Sequence, residues 1–259
     1  MPELPDVEGF KRYMSRHASG RKIRGVRVPA PNILRNTSRQ GLGRALKGRT
    51  LGRPRRHGKW LFAPVGEATL VLHFGMTGGL HWTSSPGGDE RFARLVLELQ
   101  GGELTYHNMR MLGGVWLAGS QRELERVTGR LGPDAAEVDR DELEEMLRGR
   151  RGGIKAALMN QRMIAGIGNE LSDEILWQAR VRPSRRIARL SRRQRNALFD
   201  AMRGVLEESM RHGRIPRHEA WLTSQRGARD PTCPRCGGEM RRTTIAGRSS
   251  YWCPHCQRA

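Results

Sequence analysis

All four cysteines of this chain lie in its last 27 residues, as Cys233-Pro-Arg-Cys236 and Cys253-Pro-His-Cys256. Two Cys-x-x-Cys pairs 16 residues apart fit a tetrahedral four-cysteine zinc site on two turns of one hairpin. Thiolates suit Zn2+, and four protein ligands leave no position for water, so the expected ion is structural. Disulfides are the alternative, disfavoured in a cytosolic chain with no other cysteine. One Zn2+ is therefore expected on Cys233, Cys236, Cys253 and Cys256, with His255 exposed between ligands. The intervening residues, MRRTTIAGRSSYW, read as strand–turn–strand with Arg248 at the tip. A rigid hairpin presenting one Arg suits phosphate or groove contact.

Charge narrows the class of partner. The 259 residues carry 47 Lys+Arg against 26 Asp+Glu, a formal net charge of +21. Such an excess repels itself unless an anion binds it, and a nucleic acid is the usual polyanion. Only five of these cations are lysines: Lys11, Lys22, Lys47, Lys59 and Lys155. In so Arg-biased a chain, that scarcity is a hint that Lys59 and Lys155 stand where guanidinium chemistry does not substitute, five survivors by chance being the alternative. No run of about 18 apolar residues occurs, so a membrane span is not expected. Charges recur from Glu3 onward, unlike a secretory signal. A soluble cytoplasmic protein is expected, nucleoid-associated if bacterial.

Periodicity divides the chain. Val7, Phe10 and Met14 have helical spacing within 6–19, and Gly20 supplies a stop. Strand-like segments follow at 22–28, 59–65, 68–76, 92–100 and 103–107, separated by turn-rich links such as SSPGGDE. One helix with regular short strands predicts a β-sandwich or barrel over 1–120. Asp139 can cap a helix reaching about Leu147, and Ser191 with Gln194 forms a capping box for a helix to about 212. Between them, IKAALMNQRMIAGIGNELSDEILWQARVRP predicts a short helix, a Gly-containing turn and a second helix ending before Pro183. Asn169, at the start of that second helix, can cap it or bond a phosphate alongside the helix's own amides.

The N-terminus poses a separate question. A small second residue such as Pro2 lets the initiator methionine be removed, leaving a secondary amine beside Glu3.

These segments occur together and in order: PELPDVE, HGKW, HFGMTGGL, GIGNELSDE and the paired cysteines. So assembled, the chain resembles, over essentially its full length, the formamidopyrimidine-DNA glycosylase / endonuclease VIII family of base-excision repair enzymes. The resemblance implies an α+β fold in three parts. These are an N-terminal catalytic β-sandwich with an N-terminal helix (1–120), a helix–two-turn–helix DNA-binding domain (130–215) and a zinc-finger β-hairpin (228–259). It implies a monomer that binds damaged double-stranded DNA. It also implies excision of oxidised bases through a Schiff base on Pro2, then strand cleavage by β- and δ-elimination.

By the same resemblance, Glu3 is the general acid/base, Lys59 of HGKW assists elimination at the phosphate, and Arg248 binds phosphates flanking the lesion. Asn169 grips phosphate, Arg151 and Lys155 lie on a basic segment near the DNA backbone, and His73 touches phosphate. Met76, Arg110 and Leu112 occupy the places of side chains inserted where the base is flipped out, Leu112 standing where an aromatic wedge is usual. Glu174 falls at a position near the base pocket. The segment HGRIPRHEAWLTSQRG is short and lacks the Gly-Gly-Ser/Thr-Thr stretch typical of members favouring oxidised purines. Oxidised pyrimidines, or catalytically silent binding of damaged DNA, are the alternative functions.

Overall fold

The computed structural model describes residues 2–85 and 91–258, and the SSPGGDE link lies partly outside them. Two compact units emerge: Pro2 with 6–130, and residues 3–5 with 131–258. The helical segment and the cysteine hairpin thus share one unit, which also takes in Glu3.

The first unit opens with helix α1 (Leu4–His17), most of which belongs to it. Its strands are β1 (Ile23–Arg27), β2 (Arg55–His57), β3 (Trp60–Val65), β4 (Ala68–His73), β5 (Gly78–Thr83), β6 (Ala93–Leu99), β7 (Gly102–Asn108) and β8 (Gly114–Ala118). They form two four-stranded antiparallel sheets, ordered β1-β6-β7-β5 and β2-β3-β4-β8. The result is a sandwich, not a closed barrel. Alternation drives it: in β3, Leu61, Ala63 and Val65 are buried while their neighbours are not. These residues pack with Leu70, Leu72, Leu95, Leu97, Leu104 and the α1 residues Val7 and Met14. Each fully buried Leu contributes about 2 kcal/mol of transfer free energy.

Two short helices, α2 (Arg39–Leu46) and α3 (Gln121–Thr128), start at side-chain caps from Ser38 and Ser120. Sequence periodicity did not reveal them, nor β2, β5 and β8. The glycines inside α2 lower its propensity, β2 has only three residues, and β5 and β8 bury their residues without alternation.

The second unit holds α4 (Arg140–Leu147), α5 (Ile154–Leu158), α6 (Asn169–Gln178) and α7 (Arg192–His212), then β9 (Arg241–Ile245) and β10 (Arg248–Trp252). The expected Ser191/Gln194 capping box forms, and the expected Asp139 cap is completed into a second box by Glu142. On α7, Leu198, Met202, Val205 and Leu206 make the buried stripe. Helix α6 is the axis of the unit, with every residue from Leu171 to Trp177 buried. Leu4 packs into this same core. Among the described residues no helix is long and apolar enough to cross a membrane.

Candidate functional site

Helix α6 begins where three separate parts of the chain converge. Its N-cap is Gly168, with no side-chain capping bond, and Asn169 is the first helical residue. The expected Asn169 cap is therefore corrected. The free amides of this turn are used by Glu3 instead. Gly168 N–H (2.6 Å) and Leu171 N–H (3.2 Å) donate to one Glu3 carboxylate oxygen, and Glu170 N–H (2.9 Å) to the other. A carboxylate suits this end of a helix, where unpaired N–H groups and the positive pole of the dipole coincide. Glu3 is 1% exposed, and Leu4 N–H adds a bond to Gly166 carbonyl at 3.1 Å. A side chain at Gly166 is excluded twice over: φ is +109°, and a Cβ would sit 2.5 Å from Leu4 Cδ1. Gln161, which sequence reasoning missed, braces the turn by accepting from Gly166 N–H at 2.9 Å and donating to the carbonyls of Met159 and Ile167.

Asn169 turns its side chain to the hairpin and donates to the Ser249 carbonyl at 2.9 Å. Its Oδ1 is buried and makes no hydrogen bond. Ala246 and Gly247, both at positive φ, make the tight turn that joins β9 to β10 and set Arg248 just past the tip, exposed. Asn169, Glu170, Arg217, Thr223, Arg226 and Arg248 line one polar cavity of ≈ 480 Å³. The structure thus brings Asn169 and Arg248 together, joined by two arginines that the sequence reading did not single out. Their cationic and amide donors suit an anionic oxygen ligand.

Two expected DNA contacts are corrected. Lys155 is wholly buried, not on the basic surface: its Nζ lies 2.5 Å from Asp173 Oδ1, and neither side chain is exposed. Burial pushes the Lys155 ammonium down from its ordinary value, and the Asp173 carboxylate opposes that shift. Asp173 also accepts from Ser250 Oγ (2.7 Å) and Tyr251 N–H (3.1 Å) and pairs with Arg226, so it ties α5, α6 and β10 together. Glu174 is likewise wholly enclosed, accepting from Thr223 N–H and Gln178 Nε2, each at 2.9 Å. Burial raises its carboxyl to about 7 against these hydrogen bonds. Neither side chain lies on the protein surface, and each is engaged by neighbours within the second unit. Arg151, by contrast, is exposed.

In the sandwich unit, Lys59 follows Gly58 in the two-residue turn between β2 and β3. His73 is held neutral: burial first, then the Lys59 charge, lower it to about 4. Its Nδ1 accepts from Gly75 N–H at 3.3 Å, leaving the proton on Nε2, and its ring packs 4.8 Å from Trp60. Any phosphate contact it makes is that of a neutral donor. Arg110 Nη1 reaches Met76 Sδ at 3.8 Å. Leu112 is 58% exposed and Met109 49%, the large apolar side chains left uncovered among the described residues. Exposure singles out Met109, which carried no signal in the sequence. Pro2 is half-buried, and its Glu3 neighbour is the residue anchored on α6.

The four cysteine sulfurs lie within 4.8 Å of one another, with Cys233–Cys256 at 3.8 Å and Cys236–Cys253 at 3.5 Å. A disulfide needs about 2.05 Å, whereas zinc–sulfur bonds of about 2.3 Å set tetrahedral edges near 3.8 Å. The donor set therefore fits one structural Zn2+. Trp177 Nε1 donates to Cys233 Sγ at 3.4 Å and Arg235 stacks 4.0 Å over the Trp177 ring, so α6 carries the outer shell of this centre. His255 is exposed, as expected.

Known proteins repeat this arrangement. Residues 1–115 match the formamidopyrimidine-DNA glycosylase N-terminal domain, 131–218 the H2TH domain of the same enzymes, and 231–259 the zinc finger found in FPG and IleRS. Formamidopyrimidine-DNA glycosylase of Pelotomaculum thermopropionicum is 32% identical over 276 residues, covering 100% of this chain and 99% of its own. That of Chloroflexus aurantiacus is 34% identical over 274 residues, covering 99% and 98%. Among solved structures, Lactococcus lactis Fpg (MutM) bound to N7-benzyl-Fapy-dG DNA superposes with a TM-score of 0.89 at 27% identity, covering 100% of both chains. A MutM complex with carbocyclic 8-oxo-G DNA gives 0.91 at 26% identity, again over the whole of both chains. The chain belongs to the formamidopyrimidine-DNA glycosylase family.

Proposed function

We propose that this protein is a bifunctional DNA glycosylase and abasic-site lyase, acting as a monomer on oxidised purines in cytoplasmic DNA. The observation that carries the reading is the anchoring of Glu3. Three backbone amides fix its carboxylate in the second unit, so the residue before it, Pro2, is held where a chain end would otherwise fray. Once the methionine is removed, Pro2 has a free secondary amine. An α-amino group has a pKa of about 7.7–8, so a useful fraction is neutral and nucleophilic near pH 7.

In this mechanism the Pro2 nitrogen attacks the deoxyribose C1′. The C1′–base bond breaks, and the departing base takes the electron pair and a proton. Opening of the sugar ring, with Glu3 moving the proton at the ring oxygen, leaves an iminium between Pro2 and C1′. The iminium acidifies C2′–H, so removal of that proton expels the 3′ phosphate, and a second elimination expels the 5′ phosphate. Asn169, Arg217, Arg226 and Arg248 would hold the strand by its phosphates from their common cavity. Lys59 would serve elimination. Leu112 and Met109, both exposed, would fill the gap left by the flipped base. Relatives named for formamidopyrimidines, and complexes of similar proteins with N7-benzyl-Fapy-dG and carbocyclic 8-oxo-G DNA, support oxidised purines as substrates.

Borohydride trapping tests this. Duplexes bearing 8-oxoguanine opposite cytosine, a formamidopyrimidine, thymine glycol, dihydrouracil or an abasic site are mixed with protein lacking Met1. A reduced adduct mapping to Pro2, formed fastest with a purine lesion, is expected. Faster trapping with thymine glycol or dihydrouracil would assign oxidised pyrimidines. Absence of any adduct would leave only damaged-DNA binding.

A further inference from the structure

A second cluster of metal-ligating side chains lies in the second unit, apart from the cysteines: Glu208, His212 and His218. Glu208 and His212 stand one turn apart at the C-terminal end of α7, and His218 returns to them after the helix stops at Gly213, which takes a left-handed φ of 64°. Glu208 Oε1 lies 3.4 Å from His212 Nδ1 and 3.3 Å from His218 Nε2. Two ligands of a tetrahedral ion with bonds of about 2.0–2.1 Å stand about 3.3–3.4 Å apart. The two imidazole rings meet edge to face, with centroids 5.5 Å apart.

We propose that Glu208, His212 and His218 form a second metal site, taking a divalent transition ion of the zinc class with water in the fourth position. Imidazole and carboxylate donors select zinc, nickel or copper over magnesium and calcium, which favour oxygen-only shells. The other carboxylate oxygen, Oε2, pairs with Arg211 at 2.9 Å, which orients the group. Arg211 is 74% exposed, so water screens its repulsion of an incoming cation. Binding has one local cost: His212 Nδ1, 2.9 Å from the Glu208 carbonyl, exchanges that hydrogen bond for the metal and moves its proton to Nε2. The Trp221 ring packs against His218 at 5.6 Å and fixes the plane of the imidazole.

The site would act as a staple. Between His212 and His218 runs the chain that carries Arg217, and five residues beyond His218 comes Thr223; both line the polar cavity with Asn169 and Arg248. An ion bridging α7 to His218 restrains that segment from its outer end, while the Thr223–Glu174 bond holds its inner end.

The test counts metal. Full-length protein with its cysteine site loaded is titrated with Zn2+ alone, then with Ni2+ alone, and ions per chain are measured after removal of free metal. Wild type is expected to hold two zinc ions and the His212→Ala/His218→Ala variant one, with unchanged circular dichroism. Loss of an outer-shell partner already weakens metal binding about 10–100-fold, so Glu208→Gln should weaken the second ion about 100-fold or more. One ion per chain in saturated wild type overturns the proposal. So does a second ion that survives the double His substitution, or an affinity that Glu208→Gln leaves unchanged.

Discussion

Lys155 and Asp173 form an ion pair at 2.5 Å in an interior where neither side chain is exposed. Asp173 also collects Ser250 Oγ, Tyr251 N–H and Arg226. One carboxylate on α6 therefore holds both the preceding helix and the strand that starts at Arg248. Removing one member of a buried pair strands the other charge, at a cost of about 3–5 kcal/mol. Asp173→Asn should lower unfolding free energy in urea by that amount. Lys155→Met combined with Asp173→Asn should recover part of it, since no unpaired ammonium remains. Equal losses in the single and double variants would sink this assignment.

Asn169 and Arg248 share a cavity but act through different chemistry. Asn169→Ala removes an amide donor and the bond to Ser249, and should weaken duplex binding about tenfold, or about 1.4 kcal/mol, with the fold intact. Arg248→Ala removes an exposed charge, so it should lower the slope of log affinity against log salt by about 1. Fluorescence anisotropy with a labelled abasic-site duplex across a salt series measures both.

Zinc binding and the hairpin are coupled, because the ligands lie at the base of β9 and β10 and the outer shell lies on α6. Chelation should disorder the hairpin, release Trp177 from Cys233 and shift tryptophan emission. DNA affinity should fall with it, since Arg248 loses its support. Re-added Zn2+ should restore both signals together. Emission that ignores the chelator would refute a structural ion.

His73 should remain neutral to about pH 4, with its proton on Nε2. Its ordinary value of 6.5 is lowered in the folded protein. The stability it contributes is therefore complete above pH 6.5 and lost as pH falls through about 4. Two-dimensional 15N NMR of the imidazole ring reads the tautomer and its titration directly. A midpoint near 6.5 would contradict the burial and the Lys59 field.

Glu174 has the opposite sign. Its carboxyl is raised from 4.5 to about 7 in the folded protein, so its contribution is fully present below pH 4.5. It is lost as pH rises through 7, a change of about 3 kcal/mol. Glu174→Gln has no such titration. The difference in urea stability between wild type and variant, measured from pH 4 to 8, should move toward the variant as pH rises.

The cysteine hairpin, the Asp139 cap of α4, the capping box of α7 and the longer strands of the sandwich were legible because each depends on residues close in the chain. Ligand spacing, cap and third helical residue, or successive alternation all fall within a short window. The family resemblance followed from the same local motifs, and two residues it named, Asn169 and Arg248, are joined by the fold in one cavity.

Lys155 and Glu174 show what a local window misses. Each is an ionisable side chain in a polar stretch, and each looks like a surface contact when read along the sequence. Their burial depends on partners far away: Asp173 lies 18 residues from Lys155, and Thr223 lies 49 from Glu174. Glu3 is the extreme case, satisfied by amides 165–168 residues distant. Sequence alone determined which groups were available for chemistry. Only the tertiary structure decided which are enclosed and neutralised and which face a ligand, because that choice turns on the desolvation cost of a charge, which exists only once the chain has closed around it.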